Sequence, residues 1–372
     1  MMTREPLTTW TCYTGDVAFT LTSPAARAAA QRRYLDDYLP GPVGDQDLGA
    51  FRMTLHFGDA AYDRITREAR QLPFARRIES VPGVFLLEKS DGEARCYTVD
   101  TDRLENEPGS WAVRVQDRGI DLYVHHAARK PYSHALRLMR EAMLRSYEDR
   151  GGVITHAAGA SLRGNGVMIC GPRSVGKTTL LTCLARSTGS SVLSNDRLIL
   201  MPGRRLIAVP LPVPIGKGTI DAVPELEKVT PDLSRPQRAV DGLPATFGSA
   251  EKAEFSPREF ATALGSSLAG RSRLRTILTP RLTDDSTSAR VRELGVDEAR
   301  RTLNENCFTP HDEFWRHPWV VPRRISEADL RRGAAQAIDE LAGKVPCYEI
   351  RFGVRNPLAE LDTLLREVVA SR

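Results

Sequence analysis

The sequence predicts a two-domain α/β protein: an α+β amino-terminal domain, then a phosphate-loop α/β core with antiparallel hairpins and a carboxy-terminal strand and helix. Three observations predict it. A chain of 372 residues exceeds the roughly 100–200 residues of one ordinary domain. At Gly151-Gly152 a helical period gives way to strand-like runs. Beyond that point an apolar run, the loop Gly171-Pro172-Arg173-Ser174-Val175-Gly176-Lys177-Thr178 and a helical stretch follow one another, which is the context a G-x-x-x-x-G-K-[ST] motif requires.

Composition narrows the class. Hydrophobic residues at 41% and charged residues at 27% suit a globular protein with a sizeable core and exclude a disordered or fibrous chain. The net charge of +5 is spread over 52 basic and 47 acidic residues, so no nucleic-acid partner is expected. The densest basic stretches, Arg271-Ser272-Arg273-Leu274-Arg275 and Arg323-Arg324, are short and read as solvated faces. Cys12, Cys96, Cys170, Cys183, Cys307 and Cys347 show no C-x-x-C pair, which argues against structural zinc and for reduced thiols. No apolar run approaches the ~20 residues that span a bilayer, and no leader is visible. The expectation is a cytoplasmic protein without a membrane partner.

The elements follow in order. Ser23 caps a helix over 24–38, and a second helix covers 60–71. Strands at 84–88 and 95–99 flank Ser90-Asp91-Gly92, and strands at 111–115 and 120–124 flank Asp117-Arg118-Gly119. Residues 1–130 form the amino-terminal domain, which carries no chemical motif and is a candidate for holding an acceptor or partner; residues 131–372 form the core. A helix opens the core at Ser133, with Leu136, Met139, Met143 and Tyr147 at intervals of three and four, and stops at Gly151-Gly152. One strand is expected over 153–162, a tight turn at Arg163-Gly164-Asn165-Gly166, and a buried strand over 167–170 that runs into the loop.

In such a loop, backbone N–H groups curl around phosphates at a helix N-terminus, where the macrodipole favours an anion. Gly171, Ser174, Val175, Gly176, Lys177, Thr178 and Thr179 are the expected nucleotide-binding residues, with Lys177 on the β- and γ-phosphates. The helix that follows, 177–188, places Leu180, Leu181 and Leu184 on one face and ends at Gly189. The run Ser191-Val192-Leu193-Ser194-Asn195-Asp196 then ends in a carboxylate that, with the Thr178 hydroxyl, is the expected magnesium site. Strands at 197–201 and 206–209 form another hairpin. That hairpin, with no N-K-x-D tetrad and no L-S-G-G-Q signature, disfavours a GTPase or a transporter ATPase.

These pieces resemble the catalytic domain of HPr kinase/phosphorylase and its kinase-like relatives, whose core is shared with phosphoenolpyruvate carboxykinases. The resemblance rests on Thr155-His156-Ala157-Ala158-Gly159, Gly164-Asn165-Gly166, the loop, Leu193-Ser194-Asn195-Asp196-Arg197, and the Pro-rich run 209–215 leading to Gly216-Lys217-Gly218. It covers roughly 152–220, with a late strand at 346–352 and its helix; 1–130 carries no family signature. The resemblance implies an HPr-kinase-type core, ATP and Mg²⁺, a serine- or threonine-type hydroxyl acceptor in a peptide, protein or small molecule, and often a homo-oligomer. It also implies His156 near the transferred phosphate and Asp196 as an active-site carboxylate. The family has two adjacent aspartates where this chain has Asn195-Asp196, and the first usually takes the proton-transfer role. An amide cannot, so that role passes to Asp196, to His156, or to no group, and phosphorylase activity is expected to be inefficient. The alternative is a nucleotide-dependent binding switch or slow ATPase that transfers nothing.

Weaker candidates remain. Lys217 between two glycines reaches a phosphate or is a plain loop lysine. The stretch Lys252-Ala253-Glu254-Phe255-Ser256-Pro257 helps bind substrate or marks a helix start at Ser256-Pro257-Arg258-Glu259. The aromatic-rich 304–315 segment before Trp319 covers a site or anchors a loop. Ser326 with Asp329 reads as the cap of a helix from Glu327.

Overall fold

The computed structural model describes residues 5–41, 48–100, 110–229, 240–315 and 317–370. They form two compact units: unit 1 is Met1–Asp36, Gly41–Asp149 and His311–Arg324, and unit 2 is Asp37–Pro40, Arg150–Pro310 and Ile325–Arg372.

Unit 1 contains β1 (Leu7–Thr14), β2 (Val17–Pro24), β3 (Ala50–Phe57), β4 (Phe74–Val81), β5 (Val84–Ser90), β6 (Arg95–Val99), β7 (Trp111–Gln116) and β8 (Gly119–Val124). Its sheet runs β1-β2-β3-β8-β7-β6-β5-β4. The half from β4 to β8 is antiparallel, and short turns join β4 to β5, β5 to β6 and β7 to β8. β2 and β3 are parallel, so helix α1 (Ala25–Asp36) makes the crossover between them. Val17, Phe19 and Leu21 alternate into the core along β2. Helix α2 (Asp59–Gln71) buries Ile65 and Ala69, four apart, against Cys96, Ala112 and Tyr123.

Helix α3 (Ser133–Glu148) belongs to unit 1 and packs on β1 and β2, so the division falls at Asp149/Arg150 and not at 130/131. Its Tyr147 hydroxyl donates to Asp16 Oδ2 at 2.9 Å and accepts from the Asp16 N–H at 2.9 Å. The apolar period of the helix is visible in the sequence; which sheet it covers is not.

Unit 2 begins with β9 (Val153–Thr155), β10 (Ala157–Leu162), β11 (Asn165–Cys170), α4 (Lys177–Ala185), β12 (Ser190–Ser194), β13 (Leu198–Met201) and β14 (Arg205–Ala208). It continues with β15 (Val213–Ile215), α5 (Lys217–Asp221), α6 (Pro224–Glu227), β16 (Ala253–Phe255), α7 (Pro257–Ala263), β17 (Ser267–Leu268) and β18 (Arg271–Thr283). Last come β19 (Arg290–Glu293), α8 (Val296–Glu305), α9 (Glu327–Lys344), β20 (Cys347–Gly353) and α10 (Leu358–Ala370). The main sheet runs β17-β12-β10-β11-β18-β14-β13-β9, with β20 parallel to β18 and β19 antiparallel to β20.

Both faces of this sheet are covered, which is why β10 and β11 are buried almost throughout. Val167 and Ile169 point to the core shared with Leu180, Leu181 and Leu184 of α4. Met168 and Cys170 point to the opposite core, with Ala299 and Leu303 of α8 and Ile338 of α9. The β10–β11 turn is the pair Arg163-Gly164, with φ of 50° and 87°, closed by Leu162 opposite Asn165. The strand expected over 153–162 is two strands, because at His156 the backbone N–H leaves the sheet and donates to the Asn306 carbonyl at 2.8 Å. β9 pairs with β13, whereas β10 pairs with β11 and β12. No described helix is long and apolar enough to cross a membrane.

Candidate active site

The site grows from the carboxyl ends of two strands. β11 and β12 are both antiparallel to β10, which lies between them, so both end on the same side of the sheet. β11 delivers the loop 171–178 and β12 delivers Asn195-Asp196.

The loop turns sharply. Ser174 sits at φ 64°, a left-handed conformation that costs energy for a side-chain-bearing residue. Gly176 at φ 108° caps α4, and its carbonyl accepts the Leu180 N–H at 3.0 Å. A Cβ there would lie 2.5 Å from Leu282 Cδ2, so both backbone and space require glycine. Leu282 N–H donates to the Val175 carbonyl at 3.2 Å and ties the loop to β18.

Lys177 opens α4 with its side chain buried. Its ammonium donates to the Gly171 carbonyl at 2.7 Å and the Pro172 carbonyl at 2.8 Å, and one of its three N–H donors is left for a phosphate oxygen. Burial lowers its pKa to about 8, against the opposing pull of the Asp196 carboxylate. The Thr178 hydroxyl donates to Asn195 Oδ1 at 3.0 Å, so the residue beside the expected magnesium hydroxyl is Asn195. The Thr179 hydroxyl meets that of Thr219 at 3.0 Å, which brings α5 beside the start of α4.

Asp196 meets His156 Nε2 through Oδ1 at 3.2 Å, and the Arg197 guanidinium through Oδ2. Burial pushes its carboxyl up, yet the His156 hydrogen bond and the charges of Arg197, His156 and Lys177 outweigh burial and hold it at about 2. An ionised Asp196 accepts, so His156 donates from Nε2, and in the neutral form of the ring the lone pair is on Nδ1. Phe308 fixes this arrangement: its ring stacks on His156 at 5.0 Å between centroids, and the Arg197 guanidinium lies 4.4 Å from its centroid. Nothing in the local sequence marks Phe308 for that task; the aromatic-rich segment divides, with Phe308 in unit 2 and the buried Trp315 and Trp319 in unit 1.

The weaker candidates separate. Lys217 pairs with Asp221 one turn along α5. Ser256 caps α7, its hydroxyl accepting from Glu259 N at 3.1 Å while Glu259 Oε2 accepts from Ser256 N at 2.7 Å, the reciprocal capping box. Lys252 precedes β16, and burial lowers its pKa; Asp196 and Arg173 are the charges that act on it, which sets it within electrostatic reach of the site. Ser326 accepts from Asp329 N at 3.1 Å and caps α9.

Magnesium fits the donors present. The Thr178 hydroxyl, the Asn195 amide oxygen and the Asp196 carboxylate are hard oxygens, and Mg²⁺ takes one or two such protein ligands with phosphates and waters.

In unit 1, Asp59, His125 and His126 bring ligand atoms within 4.8 Å of one another. The ring chemistry argues against a metal there. His125 Nδ1 accepts the Ala127 N–H at 3.1 Å, so its proton sits on Nε2, which faces Asp59 Oδ1 at 3.2 Å. A ligating imidazole needs the reverse, a lone pair toward the ion and its other N–H donated outward. Hydrogen bonds from His126 lower the Asp59 pKa, and the trio reads as a clamp on the first turn of α2.

No protein-family model matches this chain, and no curated protein matches it.

Proposed function

We propose that the chain is an ATP-dependent kinase that uses Mg²⁺ and transfers the γ-phosphoryl group to a serine- or threonine-type hydroxyl. The observation that carries this reading is the meeting of the two strand ends: Thr178 touches Asn195, and Asp196 next to it holds His156. A phosphate loop alone binds phosphate. A loop joined to a polarised carboxylate–imidazole pair has what transfer to a hydroxyl needs.

In this mechanism the loop N–H groups and Lys177 hold the donor phosphates, and Thr178, Asn195 and Asp196 would hold Mg²⁺, which when bound would supply neutralisation of the charge that develops on the phosphates. The acceptor oxygen bonds to the γ-phosphorus, the bond to the β–γ bridging oxygen breaks, and its electron pair leaves on ADP. The hydroxyl proton goes to His156 Nδ1. With a pKa of about 2, Asp196 is too weak a base near neutral pH and acts by orienting His156 and stabilising its cation. Without a second aspartate, attack by inorganic phosphate on the phosphorylated product is slow.

The binding-switch reading draws on one observation, the amide of Asn195 in hydrogen bond to Thr178. Incubation with γ-labelled ATP and extract separates the two. Label transfer abolished by Lys177→Ala and by Asp196→Ala supports the kinase, whereas nucleotide binding with no transfer in the unaltered protein supports the switch.

A further inference from the structure

A cleft of about 500 Å³ in unit 2 has Gly171, Pro172 and Val175 of the phosphate loop in its wall, and its volume suits a small molecule. The rest of the wall comes from β18, β19, β20 and one face of α8. β11, β18 and β20 are parallel, and open α/β sheets bind ligands outside the carboxyl ends of such strands.

The charge pattern of this wall is unusual for a sheet. Arg281 on β18 stands opposite Arg351 on β20, and both line the cleft; Arg290 on β19, opposite Arg351, extends the row beyond the wall. Like charges directly opposite one another destabilise a sheet. In the neighbouring row Glu349, itself buried, answers them: it meets Arg351 at 2.7 Å, Arg281 at 3.4 Å and Arg292 at 3.6 Å. Arg292 also grips Glu298 at 2.9 and 3.0 Å. With Arg301 on α8, four guanidiniums in the wall bring about twenty N–H donors, and the wall's three carboxylates, Glu298, Glu305 and Glu349, offer about twelve lone-pair sites, which leaves roughly eight donors with no carboxylate to serve.

Two residues of the wall are bonded to residues of the site: Pro172, whose carbonyl accepts from Lys177 Nζ at 2.8 Å, and Asn306, whose carbonyl accepts the His156 backbone N–H at 2.8 Å. We propose that this cleft holds the anionic group of the phosphoryl acceptor, which makes the acceptor a small hydroxyl compound bearing a phosphate or a carboxylate. The proposal rests on the kinase reading for the word acceptor, and on the arginine row for the anion.

The test is calorimetric titration of the full chain with Mg²⁺ and the non-hydrolysable analogue AMP-PNP occupying the loop. Glycerol 3-phosphate is the probe in one arm and glycerate in the other, which tells a phosphate from a carboxylate. We expect at least one probe to bind, and the variant R281A/R351A, which changes two exposed side chains, to weaken it about tenfold or more with AMP-PNP affinity within about twofold. R301A, on the helix wall, is expected to weaken it about threefold or more and guards against misfolding of the double variant. Binding of neither probe, or unchanged affinity in both variants, overturns the cleft proposal and leaves the loop reading standing. If AMP-PNP itself does not bind, the kinase reading falls, and probe binding without nucleotide, weakened by the same variants, still supports an anion site.

Discussion

Gly176→Ala is the most instructive perturbation of the phosphate loop, because its cost can be worked from two independent sources. The backbone sits at φ 108°, a region that costs a side-chain-bearing residue about 1–3 kcal/mol. The new methyl would also lie 2.5, 2.8 and 2.9 Å from Leu282 Cδ2, Cδ1 and Cγ, and overpacking of this kind costs about 1–3 kcal/mol more. Leu282 is buried, so it cannot swing into solvent, and its N–H holds the Val175 carbonyl at 3.2 Å. Displacing Leu282 therefore displaces the loop. The sum, about 2–6 kcal/mol, lowers the melting temperature of unit 2 by at least about 4 °C and weakens Mg-nucleotide binding about tenfold or more. Differential scanning calorimetry and a fluorescent-nucleotide titration measure both. A variant that melts within about a degree of the parent and binds nucleotide equally well would refute the reasoning.

Three further outcomes are expected. Burial holds Lys177 near pH 8 and bound phosphates raise it, so nucleotide binding takes up a proton and affinity falls as pH rises above about 8; titrations in buffers of different ionisation enthalpy that show no proton uptake contradict this. Asn195→Asp, at a position 4% exposed beside Asp196, creates a carboxylate pair in which one pKa must rise; forward transfer is retained and phosphate-dependent dephosphorylation with release of pyrophosphate appears, whereas its absence removes the missing aspartate as the explanation. His134 stacks on Trp111 and is held at about 3 by burial, so the native state takes up no proton at this ring where the unfolded chain does. Stability from this ring is full above about pH 6.5 and is lost progressively as pH falls toward 3; His134→Phe flattens that slope in melting curves, and an unchanged slope refutes the assignment.

The legible part of the fold is the part with local causes. The loop motif, the Arg163-Gly164 turn, the capping pairs at Ser256 and Ser326 and the 3.6-residue period of α3 each depend on residues a few positions apart, so the sequence displays them. What stayed hidden depends on distant partners. The break at His156 exists because Asn306, far along the chain, takes its N–H, and α3 joins unit 1 because Tyr147 and Asp16 meet. Asn195-Asp196 was visible as a departure from the pattern of the family the sequence resembles, but not that the amide would take the Thr178 hydroxyl and the carboxylate the histidine. Phe308 and the arginine row are invisible for the same reason. β20 pairs with β18 residues about seventy positions earlier in the chain, and no local period records that pairing.

The central claim is that this site moves a phosphoryl group as well as binding one. The measurement that tests it most directly is mass-spectrometric identification of the molecule that acquires label from γ-labelled ATP in extract treated with the purified protein. The account predicts a phosphate ester on a hydroxyl oxygen of one acceptor, formed with Mg²⁺ and lost with Asp196→Ala. Label found only in inorganic phosphate, with Mg-ATP bound at the loop, would contradict it.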